Sequence, residues 1–195
     1  ASEPDTVLRN VEAVSSLKKD MVIATSGWYD QIESVKILCE SAGVGIIYAP
    51  NFSLGIHIFV SLLRKAGHIF NSFTDYDVAG YEMHHGEKID SPSGTAQTMA
   101  QAIVDTMERK TKPLFNSPNR KILPNELHVP AIRSGSIPGT HSMFFDSAYD
   151  TITLSHQARS RDGFASGALV AAHWIHDKKG LYSIDDLIED FIPQG

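Results

Sequence analysis

One short segment concentrates the residues of this sequence that could do chemistry. Residues 81–96, YEMHHGEKIDSPSGTA, place His84 and His85 side by side, with Lys88 three residues further on. A lysine ammonium is a compact cation with three donors, and it can bind a carboxylate or supply a proton if its pKa is lowered. Adjacent side chains of a strand face opposite ways, so only one histidine enters a given pocket unless the strand ends there. The segment therefore indicates acid–base chemistry on an anionic ligand.

The Pro-Ser-Gly-Thr turn that follows favours anion binding. We predict that Thr95 begins a helix and that Pro92 and Gly94 shape the turn before it, while Ser93 and Thr95 add hydroxyl groups. Free backbone N–H groups at a helix N-terminus, together with the helix dipole, attract anions. An ordinary helix cap is the alternative interpretation, because serine and threonine are common caps. Cationic side chains and a helix start this close together suit a small molecule with two carboxylates.

Each of these side chains also has a plainer interpretation. Lys88 could be a solvated surface lysine, and the histidine pair could be one packed ring and one solvated ring. A metal site needs three or four converging ligands, and His84, His85 and Asp90 match no zinc spacing. Asp90 is better explained as an acceptor in a turn or cap. We therefore assign no metal ligand.

Composition limits the classes of partner. The 195 residues are 42% apolar and 21% charged, as is usual for a globular protein, and the net charge of −6 argues against nucleic acid. The single cysteine, Cys39, excludes an internal disulfide. No apolar run reaches membrane-spanning length, and the first ten residues lack a signal-peptide pattern. We expect a cytoplasmic protein with no nucleic-acid or membrane partner and with a small acidic ligand.

The first fifty residues predict a βαβ unit. An amphipathic helix, which Asp5 could cap, comes first, with apolar side chains at helical spacing: Val7, Leu8, Val11, Val14 and Leu17. Two short apolar strands, MVIAT and VGIIYA, then flank a second helix, which ends at Gly43 as a left-handed residue. Strand, helix and strand of this length imply a parallel sheet with a right-handed crossover.

The rest of the sequence predicts a mixed α+β arrangement. Helices are predicted at residues 52–70, 93–110, 163–179 and 183–191, with Met99, Ile103 and Met107 along one core-facing stripe and Gly180 past the end of the third helix. A strand is predicted at residues 76–85, and three more at 127–135, 140–147 and 150–158 that suggest an antiparallel meander. Residues 111–126 contain three prolines and predict a surface loop.

Several motifs along the chain together resemble one enzyme family. Residues 82–96, EMHHGEKIDSPSGTA, match the E-x-H-H-x-x-K-x-D-[AS]-P-S-G-T-A signature of bacterial 4-hydroxy-tetrahydrodipicolinate reductase (dihydrodipicolinate reductase) of lysine and diaminopimelate biosynthesis. Four further stretches resemble family segments in the same order: ATSG, APNFSLG, IRSGSIPGTHSMFF and SHQARSRDGFASGAL. The resemblance therefore spans almost the whole chain.

The resemblance implies a role for each matched residue. His84 would be the acid–base histidine and Lys88 the proton donor, and the dicarboxylate substrate would be held by His85, Lys88, Ser93, Gly94 and Thr95. NADH or NADPH would contact two loops after the first two strands: Ala24, Thr25 and Ser26, then Ala49, Pro50, Asn51 and Phe52. In the family's reaction, hydride reaches C4 of the substrate ring and the resulting enamine takes a proton at the neighbouring carbon. The family is typically a homotetramer joined through the sheet of its second domain, with which the apolar run SMFF is compatible.

The resemblance also implies a domain plan. We expect an α/β fold with a partial Rossmann-like parallel sheet and an α+β domain with a mixed sheet. Residues 1–50 would be the C-terminal part of the dinucleotide-binding domain, residues 51–162 the substrate-binding and tetramerisation domain, and residues 163–195 helices that return to the first domain.

The sequence departs from the family pattern in two ways. Ala24 replaces a glycine and Ser26 replaces a threonine, and both are small residues. No G-x-G-x-x-G turn follows a first strand, so we expect the chain to begin partway through the nucleotide-binding domain. The leading hypothesis is a reductase. The alternatives are a non-catalytic dicarboxylate-binding or assembly module and a metal-dependent lyase that uses the histidine pair.

Overall fold

The computed structural model describes residues 2–192, which form two compact units. Within the described residues, the first unit comprises residues 2–57 and 162–192, and the second comprises residues 58–161. The first division falls after His57, seven residues beyond the boundary expected from the sequence. Each unit has its own sheet and its own core.

Residues 2–192 contain six α-helices and nine strands. The helices are α1 (Val7–Ser16), α2 (Ile32–Ala42), α3 (Leu54–Asn71), α4 (Gly94–Val104), α5 (Asp162–Ile175) and α6 (Ile184–Asp190). The strands are β1 (Met21–Ile23), β2 (Gly45–Tyr48), β3 (Asp77–His84), β4 (Lys112–Leu114), β5 (Glu126–His128), β6 (Ala131–Arg133), β7 (Thr140–Asp146), β8 (Thr151–Gln157) and β9 (Gly180–Ser183). No helix within residues 2–192 combines the length and apolar character needed to cross a membrane.

The first unit is a three-stranded parallel sheet with helices on both faces. The strand order is β1-β2-β9, and Ile46 and Ile47 of β2 enter different core clusters. The cluster around Ile46 contains side chains of α1 and α2, and the cluster around Ile47 contains side chains of α5 and α6. This arrangement confirms the predicted α/β class and parallel sheet. Strand β9 was not predicted: Gly180 does not merely follow a helix but opens this strand, with a φ of +113°.

The helix ends of the first unit follow from local chemistry. Gly43 ends α2 in the left-handed region with a φ of +67°, as predicted. The predicted cap at Asp5 is wrong, because Asp5 lies inside a short 3-10 helix at Pro4–Thr6 and α1 has no side-chain cap. Ser183 caps α6 and forms a reciprocal capping box with Asp186.

The second unit is built on a four-stranded mixed sheet with strand order β6-β3-β7-β8. Strands β3, β7 and β8 pair antiparallel, while β6 pairs parallel with β3. The predicted meander is therefore right for β7 and β8 and wrong for residues 127–135, which contain the end of β5 and the whole of β6. The predicted loop at residues 111–126 also contains β4, which pairs parallel with β5. Pairings between distant short strands leave no local pattern in the sequence.

One face of this sheet carries the core of the second unit. Met99, Ile103 and Met107 are fully buried there, although α4 ends before Met107. Met143 and Phe145 of β7 are buried in the same cluster, so the SMFF run contributes alternate residues to the core.

Gly167 of α5 packs directly against the loop that follows β2. A Cβ atom at this position would lie 1.7 Å from the backbone oxygen of Phe52, a distance that no side chain tolerates. Phe52 is itself 2% exposed and packs in the core beside Ala49. The absence of a side chain at Gly167 therefore fixes the position of the 49–52 loop in the first unit.

We predict that Gly167→Ala lowers the free energy of unfolding of the first unit by about 1–3 kcal/mol, because the loop or α5 must shift. Both tryptophans of the sequence, Trp28 and Trp174, lie in this unit, so their fluorescence during urea denaturation measures the effect.

Gly163→Ala is the matched control, because it lies in the same helix and a Cβ there meets no atom within 4 Å. This control should be neutral or slightly stabilising, since alanine favours the helix by up to about 1 kcal/mol. Equal midpoints for the two variants would contradict the proposed close packing.

Candidate active site

The strand register of the second unit brings a carboxylate and two histidines into one row. Glu82 of β3 lies opposite His141 of β7, which in turn lies opposite His156 of β8. His84 is the last residue of β3 and lies on the same face as Glu82, because side chains two residues apart in a strand point the same way. The candidate site is therefore assembled on three neighbouring strands.

The Glu82 carboxylate is fully buried at the centre of the site. Its Oε1 atom accepts hydrogen bonds from the Ser93 backbone N–H at 2.9 Å and from Arg133 Nη2 at 2.8 Å. Its Oε2 atom accepts the Ser93 hydroxyl and lies 3.5 Å from Nε2 of both His84 and His141. Burial opposes ionisation, but hydrogen bonds from His141, Ser93 and Arg133 hold the pKa of Glu82 well below its usual range. Glu82 is therefore an ionised carboxylate that is charge-paired inside the protein.

His84 and His141 face each other through their Nε2 atoms. These atoms lie 3.4 Å apart, and the rings meet edge to face at 71°. Burial and the neighbouring His141 lower the pKa of His84, although the Glu82 charge partly opposes this shift. His84 therefore remains a neutral imidazole at neutral pH, while its side chain keeps 12% of its surface exposed. His141 is almost fully buried, and its Nδ1 atom has no hydrogen-bond partner among residues 2–192.

Ser93 caps α4, so the helix begins at Gly94 and not at Thr95 as predicted. The Ser93 hydroxyl accepts the N–H of Ala96 at 3.1 Å, while the Ser93 N–H and hydroxyl hydrogen both go to Glu82. Ser93 is 3% exposed. The backbone N–H groups of Gly94 and Thr95 have no acceptor within the described part of the chain. These two amides, with the helix dipole behind them, are the donors available to an anion.

Lys88 and Asp90 form an ion pair beside this helix start. Lys88 Nζ lies 2.7 Å from Asp90 Oδ1, and the hydrogen bond from Lys88 lowers the pKa of the Asp90 carboxyl. Asp90 is therefore a salt-bridge partner, and its backbone oxygen also accepts Arg133 Nη2 at 2.7 Å. Lys88 is 22% exposed, which leaves its ammonium accessible to a ligand. His85 follows the end of β3 and is half-buried.

The residues expected to contact a cofactor lie in the first unit. Ala24, Thr25 and Ser26 follow β1, and residues 49–52 follow the adjacent parallel strand β2. Ser26 and Pro50 are exposed, Ala24 and Asn51 are half-buried, and Thr25, Ala49 and Phe52 are buried. The Thr25 hydroxyl accepts the N–H of Ser2 at 2.9 Å. A cavity of about 340 Å³ borders Ala24 and Thr25 and is also lined by Ser2 and Asn10.

The sequence alone assigns no role to three residues of the site: Glu82, Arg133 and His141. Glu82 had a local signal, because it lies two residues before His84 in a predicted strand and so shares its face. Arg133 and His141 lie in the family-like stretch IRSGSIPGTHSMFF, but that motif does not show which residues they contact, since their positions depend on the pairing of β3 with β6 and β7. The predicted histidine pair divides, with His84 in the cluster and His85 outside it.

The geometry defines an α/β protein whose second unit presents a neutral imidazole, an ammonium group and two free amides. Comparison with known proteins agrees with that description. Residues 55–188 match the family described as "Dihydrodipicolinate reductase, C-terminus". The chain is 34% identical over 189 residues to the 4-hydroxy-tetrahydrodipicolinate reductase of Christiangramia forsetii. This alignment covers 97% of this chain and 77% of that protein. It is 35% identical over 193 residues to the reductase of the same name from Rickettsia bellii, covering 98% and 74% of the two chains.

A solved structure has the same fold. The dipicolinate-bound dihydrodipicolinate reductase from Paenisporosarcina sp. TG-14 is similar with a TM-score of 0.78 at 24% identity, over 95% of this chain and 71% of that one. The family assignment rests on the sequence matches, which extend over most of the chain. This chain belongs to the dihydrodipicolinate reductase family, whose named members are 4-hydroxy-tetrahydrodipicolinate reductases.

We predict that Lys88→Met raises the pKa of His84, because the Lys88 charge contributes to lowering it. In the wild type the imidazole should protonate only below its usual value of about 6.5, and in the variant the midpoint should move upward. NMR titration of the His84 ring measures both midpoints. The folded protein binds this proton less readily than the unfolded chain, so the contribution of His84 to stability is full above about pH 6.5 and declines as pH falls.

Lys121→Met is the control, because Lys121 is an exposed lysine of the same unit and does not contribute to the His84 shift. It should leave the His84 midpoint unchanged. A His84 midpoint in Lys88→Met at or below that of the wild type would contradict the proposed interaction.

Proposed function

We propose that this chain is an NAD(P)H-dependent reductase of 4-hydroxy-tetrahydrodipicolinate in lysine and diaminopimelate biosynthesis. The observation that carries the proposal is the grouping of Lys88, neutral His84 and the free amides of Gly94 and Thr95 at the end of one strand and the start of one helix. Membership of the dihydrodipicolinate reductase family supplies the substrate class. A dicarboxylate is what such a set of donors binds best.

The second unit would hold the substrate. The Gly94 and Thr95 N–H groups would bind one carboxylate, with the Thr95 hydroxyl beside them, and Lys88 and His85 would bind the substrate from the cationic side. Ser93 would act through the helix start that it caps, because its own donors are engaged by Glu82. The ionised Glu82 would not repel an anion strongly, since Arg133 pairs with it at 2.8 Å. The electrostatic field at the helix start would therefore remain favourable to negative charge.

The first unit would hold NADH or NADPH. Ala24, Ser26, Pro50 and Asn51 lie at the carboxyl ends of two adjacent parallel strands, where open α/β sheets bind ligands, and they leave surface accessible. The cavity of about 340 Å³ beside Ala24 is within the size range of small-molecule sites, about 300–1,000 Å³. These residues fit a nicotinamide cofactor, and when bound the cofactor supplies the hydride. The buried Thr25, Ala49 and Phe52 would shape the loops behind it.

Lys88 would deliver the proton of the reaction. Its ammonium would stabilise the negative charge that develops on the substrate and would donate one proton from Nζ to the ring carbon next to the reduced one. Asp90 at 2.7 Å orients this ammonium. His84, a neutral imidazole beside the ionised Glu82, would accept a proton from C3 of the substrate and return it to the 4-hydroxyl group, which would leave as water before hydride adds at C4.

The test measures binding of dipicolinate, a planar dicarboxylate that is bound in the related reductase structure. We expect saturable one-to-one binding to this chain by calorimetry. Lys88→Ala should weaken it at least about tenfold, because a charge-assisted contact is lost. The same variant should lower kcat by about 10²–10⁴ in NAD(P)H oxidation with the hydroxy-tetrahydrodipicolinate substrate, because a proton donor is lost.

Lys121→Ala is the matched control and should bind dipicolinate as the wild type does. Circular dichroism establishes that each variant is folded. Either undetectable binding by the folded wild type or equal affinity in Lys88→Ala would refute the proposed substrate site.

We propose further that four copies associate through the outer face of the β6-β3-β7-β8 sheet. Tyr81, Met83 and Phe144 are half-buried on this face, and Ile132 is 45% exposed there. Within the second unit no helix covers them. Such an apolar strip on a sheet favours burial against another chain. This face is separate from the one that carries Glu82 and His141.

We predict that the wild type sediments as a homotetramer and that Ile132→Glu sediments as smaller species, because a charge is forced into the apolar contact. Sedimentation velocity measures the mass directly. Ile69→Glu is the control, since Ile69 is 59% exposed on α3 and should leave the mass unchanged. A monomeric wild type would rule out this assembly.

A further inference from the structure

Three ligand atoms of the candidate site have the spacing of a metal coordination shell. Nε2 of His84 and Nε2 of His141 lie 3.4 Å apart, and Glu82 Oε2 lies 3.5 Å from each of them. A zinc ion with bonds of about 2.0–2.1 Å keeps the corners of its tetrahedron about 3.3–3.4 Å apart. The three atoms therefore outline one face of such a tetrahedron, and a single point lies about 2 Å from all three.

We propose that Glu82, His84 and His141 form a binding site for a divalent transition-metal ion, with Zn²⁺ as the best-fitting ion. Two imidazoles and one carboxylate are a ligand set that zinc uses in sites with an open fourth position. Of the three residues weighed as metal ligands from the sequence, only His84 belongs to this cluster. His85 and Asp90 lie outside it. The site is distinct from the amides of α4 that we assign to the carboxylate ligand.

The groups around Glu82 leave one side of its Oε2 atom facing the two histidines and fix the direction of the carboxylate. Oε1 is taken by Arg133 Nη2 and by the Ser93 N–H, and Oε2 takes the Ser93 hydroxyl. A carboxylate oxygen accepts about two hydrogen bonds or ligand bonds. Beside the Ser93 hydroxyl, the second position on Oε2 is held by the long 3.5 Å contact with His141, and a metal ion would take that position. Both histidine Nε2 atoms lie near that oxygen. Hydrogen bonds to the non-ligating oxygen of a carboxylate are a common second layer of metal sites, because they fix the direction of the ligand.

The site needs little rearrangement to bind an ion. Glu82 and His141 are register partners on adjacent strands, and both are buried, so their positions are fixed by the sheet. His84 ends the strand and is the partly exposed ligand, with 12% of its side chain accessible, so an ion would enter from its side. A preorganised set of three ligands loses little conformational entropy on binding.

Ligand chemistry predicts which ions bind. Imidazole nitrogens favour Zn²⁺, Co²⁺ and Cu²⁺, whereas Mg²⁺ and Ca²⁺ require mainly oxygen ligands and more of them. We therefore expect Zn²⁺ to bind in the presence of excess Mg²⁺. This preference separates the cluster from the acidic surface of the protein, which would bind hard cations.

A bound ion would also switch off the acid–base group. Coordination takes the Nε2 lone pair of His84, which then no longer accepts a proton, so Zn²⁺ would inhibit the reductase reversibly and a chelator would restore it. This consequence rests on the proposed function. The binding itself does not, and it is therefore tested without turnover.

The experiment titrates the metal-free chain with ZnCl₂, in competition with a chromophoric chelator and with excess Mg²⁺ present. We expect one Zn²⁺ per chain, with affinity lowered at least about tenfold in His141→Gln and in Glu82→Gln, because each removes one ligand. His176→Ala is the control. His176 is exposed and lies 3.7 Å from Asp20 and 3.6 Å from Asp177, so these three residues form a surface group that could also bind Zn²⁺. This variant should retain the stoichiometric ion.

Co²⁺ provides a second measurement on the wild type, which stays decisive if the two ligand variants do not fold. Four-coordinate Co²⁺ absorbs visible light far more strongly than six-coordinate Co²⁺, so the expected spectrum is the intense one, and added Zn²⁺ should abolish it. Any of three results would overturn the proposal: no stoichiometric Zn²⁺, loss of binding in His176→Ala, or a six-coordinate Co²⁺ spectrum. An active reductase that binds no Zn²⁺ refutes the metal site alone, whereas an inactive chain that binds Zn²⁺ refutes only the proposed function.

Discussion

The charge of Glu82 is the constraint on which the second unit depends. An ionised carboxylate inside a protein is strongly unfavourable unless every oxygen has a partner. Here the partners come from different elements: Ser93 caps α4, Arg133 ends β6 and His141 is the second residue of β7. The same contacts therefore join the helix start to the sheet and set the positions of the functional groups. Removing any one of them would leave part of a buried charge unpaired.

That arrangement explains why the site can favour an anion while containing one. Arg133 neutralises Glu82 at short range, so the charges left to act on a ligand are Lys88 and the N-terminal end of α4. Ser93 commits its own donors to Glu82 and thereby leaves the next two amides facing outward. The anion-binding capacity of the PSGT turn is thus a consequence of where Glu82 holds the helix cap. Side chains near the turn add charge, but the backbone supplies the geometry.

The sequence predicted those parts of the fold whose causes are local. The apolar strands and Gly43 of the βαβ unit, the stripe of Met99, Ile103 and Met107, and the strand ending at His84 all have short-range signals and were found. Strand β9, the β4–β5 pair and the parallel pairing of β6 have none, because a three- or four-residue strand is defined by its distant partner. The same limit applied to the site: Lys88, His84 and the helix start lie within one segment, whereas His141 lies 57 residues from His84. The motifs contain both histidines, but only the register of β3 and β7 shows that His141 lies opposite Glu82 and beside His84.

A neutral imidazole held beside a second imidazole and a carboxylate has two uses that the same physics allows. Burial keeps the His84 ring unprotonated, so its lone pair is available at neutral pH, and the fixed neighbours restrict where that lone pair points. A proton and a metal ion compete for such a lone pair in the same way. Groups built for acid–base work in a rigid, partly buried setting therefore come close to a metal ligand set whenever three of them converge at 3.4–3.5 Å, as they do here. Convergence of this kind follows from the sheet register, so it would persist in any relative that keeps these three side chains on β3 and β7.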